Sequence, residues 1–199
     1  MSFDPYLFVS GIFMLLGLFG LVFCYEHKER KGSSNVAKIG VMLSLALVFG
    51  IVESFLPDII VPGVRLGLAN VVILFVLYVY GFKVGLGVAV GKALLVSLLR
   101  GSFFSMGGFM ALSGTLLSFL GMSLLHFLWK NCSPIGVSIL GSLLHILGQI
   151  LVGMAYVGVP ILGYLVYLLL IGFVTGAFIG ALILALTRNK SLLSYLRKS

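Results

Sequence analysis

Long apolar runs alternate with short polar breaks along this chain, and each run is near the length of a membrane helix. They fall at about Tyr6–Tyr25, Lys38–Phe55, Leu66–Tyr80, Val84–Leu99, Ser102–Trp129, Ile135–Tyr156 and Pro160–Leu186. About 20 apolar residues suffice to cross a bilayer as a helix. The pattern therefore predicts an all-α polytopic membrane bundle: one N-terminal helix with its charged linker (1–37), a six-helix core (38–187) and a basic tail (188–199). Gly32-Ser33-Ser34-Asn35 is expected to be a flexible linker, and Lys130-Asn131-Cys132-Ser133-Pro134 a turn. A polar, proline-broken interval between two membrane-length runs extends from Pro57 to Asn70. Pro57 and Pro62 cannot continue a helix, and Pro62-Gly63 signals a turn.

Composition sharpens the class. Of the 199 residues 61% are hydrophobic and only 9% charged, against about 25% charged in a soluble domain. Mean hydropathy is +1.25. The net charge of +8 does not point to nucleic acid, because most Lys and Arg flank apolar runs, where positive-inside anchoring accounts for them. If the linker after the first helix is cytoplasmic, Lys28, Arg30, Lys31, Lys38, Lys83, Lys130 and the tail all lie inside, leaving only Arg65 and Arg100 outside. The expectation is an N-terminus outside and a C-terminus in the cytoplasm. Asp4 and the lack of a base before the first run favour a retained helix over a cleaved signal. Cys24 and Cys132 form no metal-type spacing. Gly87/Gly91 and Gly172/Gly176/Gly180 recur every fourth residue, the spacing that lets membrane helices approach closely.

Polar side chains at membrane depth are costly and mark cavities or partners. Glu53, Asn70, Lys92, His145 and Gln149 form this short set, with Arg65 and Arg100 at its outer edge. His145 and Gln149, four apart, share one helix face. Together they suggest a positively lined pocket open to the outside. Each member has an ordinary alternative. Glu53 neutralises Arg65 or Arg100, Lys92 pairs with Glu53 or snorkels, His145 is a hydrogen-bonded core histidine, and both arginines snorkel. Walker loop, metal cluster and nucleophile motif are all missing. With Asp4 and Asp58 the only aspartates, no aspartate-rich magnesium–diphosphate motif can be built. No enzyme activity, cofactor or metal is expected.

Pro62-Gly63-Val64-Arg65-Leu66-Gly67-Leu68-Ala69-Asn70 resembles the signature of the Gx transporter family, catalogued as heptaprenyl diphosphate synthase component I. Tyr80-Gly81-Phe82-Lys83, Leu98-Leu99-Arg100-Gly101-Ser102, and Gly136-Val137-Ser138 leading to His145 and Gln149 extend the resemblance across roughly Lys38–Thr187. That family is similar to the substrate-binding S components of energy-coupling factor transporters, six-helix proteins that take vitamins or related molecules from outside. The resemblance implies a lid loop containing Pro57, Pro62 and Gly63, a small-molecule substrate of the vitamin or redox-cofactor-precursor class, and a bacterial plasma-membrane location. It also implies a coupling membrane protein with ATPases, or redox subunits, as partners. Where S components carry an Ala-x-x-x-Ala docking pattern, this chain has Gly40/Ser44 and Ala46/Gly50. The alternative reading is a membrane subunit tied to heptaprenyl diphosphate and quinone synthesis or to a flavin-based electron-transfer complex.

Overall fold

The computed structural model describes residues 33–55, 67, 69–129 and 132–188, without the side chains of 33–38, 54 and 55. Among them are six α-helices and no strand. They are α1 (Ser33–Phe55), α2 (Asn70–Tyr80), α3 (Phe82–Leu99), α4 (Met106–Leu128), α5 (Pro134–Val157) and α6 (Leu165–Arg188), with a 3-10 turn at Val159–Tyr164 before the last. The N-terminal apolar run and the lid residues Pro57, Pro62 and Gly63 lie outside the described residues.

Among the described residues, four spans are long and apolar enough to cross a membrane: α3, α4, α5 and the 3-10 turn with α6. Their ends follow local chemistry. Ser105 caps α4 by accepting from the Gly108 N–H, and Ser133 caps α5 with Pro134 in its first turn, a position that suits a residue without an N–H. Gly81 (φ +84) turns α2 into α3 and Gly158 (φ +83) ends α5. Such short links make successive helices antiparallel neighbours.

Two segments depart from the sequence expectation. α1 already includes Ser33, Ser34 and Asn35, residues expected to belong to a linker. The helix expected from Leu66 begins at Asn70. Gly67 has φ +81, a left-handed conformation through which no α-helix runs.

α2 is the hub. It has only eleven residues, Val72 to Leu77 are all buried, and it contacts α3, α4, α5 and α6. A helix apolar all round belongs in an interior. Ile73, Leu74 and Leu77 meet Ala89, Phe119, Met122, Val137 and Ile183 in the main core. Val72 and Val76 pack with Ala46 of α1 and Val88 of α3. A satellite core of Ile146, Ile150, Ile161 and Leu168 ties the 3-10 turn to α5 and α6. The outward faces carry Val48 and Phe49 on α1, Leu120 and Leu124 on α4, and Leu170, Val174 and Phe178 on α6. Apolar side chains on that scale suit lipid rather than water.

Candidate functional site

Five of the polar residues singled out by sequence are buried: Glu53, Asn70, Lys92, His145 and Gln149. Helix direction places Glu53, Asn70 and Gln149 toward one end of the bundle, with Lys92 and His145 nearer the middle of their helices. Glu53 sits in the last turn of α1 and Asn70 opens α2. Lys92 lies two turns before the end of α3, and Gln149 two turns before the end of α5.

The contacts begin at Gly67. Its N–H donates to the Glu53 carboxylate, and its carbonyl accepts from the Asn70 N–H at 2.8 Å. A side chain there would meet Asn70 Nδ2 at 3.0 Å and His145 Cδ2 at 3.3 Å. Only glycine combines φ +81 with that crowding. The Glu53 carboxylate thus faces a backbone donor just ahead of a helix N-terminus, where negative charge is favoured.

Asn70 reaches the other way, its Nδ2 donating to Ser118 Oγ of α4 at 3.2 Å. At Gly114 of the same helix a Cβ would meet the His145 carbonyl oxygen at 2.7 Å, Gln149 Cγ at 2.9 Å and His145 Cε1 at 3.1 Å. At Gly148 of α5 it would meet the Gly114 Cα at 2.9 Å. The two glycines therefore let α4 and α5 touch backbone to backbone. Ser113 Oγ closes the crossing by donating to the Gly148 carbonyl at 2.7 Å. His145 and Gln149 are held by this contact.

Lys92 comes from α3 onto α1: its Cε lies 3.2 Å from where a Gly50 Cβ would stand. Gly50 is one turn before Glu53, so Lys92 works on the Glu53-bearing side of α1. Arg100 differs. It caps the C-terminal end of α3 and is exposed, outside this buried set. Arg65 lies outside the described residues.

The arrangement is thus a polar junction of α1, α2, α4 and α5, flanked by one buried ammonium from α3. No group of three or more His, Cys, Asp or Glu side chains is arranged to hold a metal among the described residues. The junction can offer hydrogen bonds and one cation to a ligand. Sequence reasoning passed over Gly67, Ser113, Thr115 and Ser118. A hydroxyl pair three residues apart (Thr115, Ser118) inside an apolar run was the signal that could have found the α4 contribution.

The family model for heptaprenyl diphosphate synthase component I matches residues 42–186. The chain belongs to that family. The match begins within α1 and ends two residues before the last residue of α6, so the whole junction is family territory. No curated protein and no solved structure matches the chain.

Proposed function

We propose that this member of the family is a binding subunit for uptake of a small anionic organic molecule, and not itself a catalyst. One observation carries the reading: Glu53, Asn70, Lys92, His145 and Gln149 are all buried inside a bundle whose outer faces are apolar. Ionisable and amide groups at membrane depth cost several kcal/mol unless a partner or a ligand uses them. Lys92 and, by sequence, Arg65 supply positive charge for the anion. Chemistry on a diphosphate would need the magnesium-binding aspartates that the chain lacks, with Asp4 and Asp58 its only two. The plasma membrane is the proposed location, and a coupling membrane protein with ATPases, or redox subunits, the proposed partner.

The family's description favours a second reading, in which this chain assists prenyl diphosphate synthesis at the membrane. The two separate in one experiment each. Mass spectrometry of small molecules retained by gently solubilised protein should return an organic anion of vitamin or cofactor-precursor size. Prenyl elongation that depends on added chain in a reconstituted mixture, with no molecule retained, would replace the uptake reading by the second one.

A further inference from the structure

Two polar atoms in the junction have no hydrogen-bond partner among the described residues: Asn70 Oδ1 and Thr115 Oγ1. Asn70 is 3% exposed and Thr115 1%. Native interiors rarely leave such groups unpaired, because each costs the desolvation of a donor or acceptor. The two belong to one place. Asn70 spends its Nδ2 on Ser118, three residues beyond Thr115 and on the same face of α4. Thr115 also lies one turn before Phe119, whose ring packs in the core with Ile73 and Leu74 of α2. It shares the face of α4 that carries Ser118 and Phe119, and follows directly on Gly114, which stands against His145 and Gln149.

The other unpaired buried hydroxyls are elsewhere, those of Tyr78 and Tyr80 in the last turn of α2, at the end away from Asn70. Ser142 Oγ stands against Gly176 of α6, 2.9 Å from where a Cβ would be, and serves that packing. Ser97 is two residues before the end of α3, and Ser123 is two turns beyond Thr115 on α4.

We infer that Asn70 Oδ1 and the Thr115 hydroxyl are the recognition point for an uncharged hydrogen-bond donor of the cargo, a hydroxyl or an amide N–H. This rests on the uptake reading and narrows it. An amide oxygen repels an anionic oxygen and accepts only from a donor. The cargo is then an organic anion that also carries a hydroxyl or N–H group, with the anionic end toward Lys92 and the donor between α2 and α4. A prenyl diphosphate, whose ionised head group only accepts hydrogen bonds and whose tail is hydrocarbon, does not satisfy this pair.

The test uses the full chain, with the low-molecular-weight extract of the expressing cells as probe. Retained masses are compared between wild type, Thr115→Val and Asn70→Leu at equal protein, alongside the thermal midpoint without extract. Thr115→Val keeps the shape and removes only the hydroxyl. The expected result is one anionic mass bearing a hydroxyl or N–H donor, bound by wild type and about tenfold less by Thr115→Val, whose own midpoint is equal to or above wild type. That pairing of weaker retention with undiminished stability is the signature of a group kept for a ligand. Retention by Thr115→Val at the wild-type level, as a buried water alone would give, overturns this inference and leaves the uptake reading standing. A retained molecule without a donor overturns it too. Wild type that retains nothing overturns both. Where Asn70→Leu fails to fold, Thr115→Val decides the question by itself.

Discussion

Two helix crossings in this bundle are built from the same residue and hold different things. At the α5–α6 seam, Gly176 lies so close to α5 that a Cβ would be 2.8 Å from the Ile139 Cα, and one at Gly180 would collide with the Ile135 backbone. Gly172 presses similarly on Ile146. Its partners are mostly isoleucines, and the seam is a packing device. At the α4–α5 crossing Gly114 and Gly148 touch just as closely, yet the side chains fixed there are His145 and Gln149, with Ser113 bonded across. Close approach in membranes is bought with small residues. The bundle uses it once to exclude everything and once to bring polar groups together.

That contrast can be broken by substitution. Gly180→Ala should have the largest effect, about 3 kcal/mol of lost stability, because backbone rather than a flexible side chain stands in the way. A thermal midpoint in detergent equal to wild type would show the seam to be loose. Glu53→Ala should cost about 2 kcal/mol, since it strands the buried Gly67 N–H. Glu53→Gln keeps an acceptor there and should recover most of the loss in the same unfolding assay. A midpoint indifferent to both changes would remove the tie between α1 and Gly67 from the account.

Arg65→Ala should leave the ligand-free midpoint alone and weaken retention of the co-purifying molecule by about 1.5 kcal/mol, roughly tenfold. Arg65→Lys should recover only part, because a point charge does not replace a planar donor fork. If stability falls and retention holds, Arg65 is a structural partner. The smallest effect is expected at Gly40 of α1, where an added Cβ would meet nothing within 4 Å. Gly40→Ala should stabilise by about 0.5–1 kcal/mol through helix propensity alone. Calorimetry that shows a loss there would mean the exposed face of α1 is covered.

Much of this was legible in the residues. Apolar run lengths locate the helices because hydrocarbon thickness sets them, and Glu53, Asn70, Lys92, His145 and Gln149 stand out because a charge or amide in such a run has to be accommodated. Thr115 and Ser118 were not legible as site residues. A helical hydroxyl can bond the preceding turn of its own backbone, so only three-dimensional placement separates filler from contact. Arg100 lies exposed at a helix end, at the edge of the set as its position beside an apolar run suggested. The start of α2 was missed because a glycine within an apolar run carries no sign of its φ.

The brevity of α2 has a consequence for how the protein is made. Eleven residues rise roughly 16 Å, about half the hydrocarbon thickness. Such a segment is too short to be held in a bilayer as an independent anchor during synthesis. Only Gly81 separates it from α3, and its central place depends on packing against α3, α4, α5 and α6. The polar junction is complete only when three helices have met, since Asn70 comes from α2, Ser118 from α4, and His145 and Gln149 from α5.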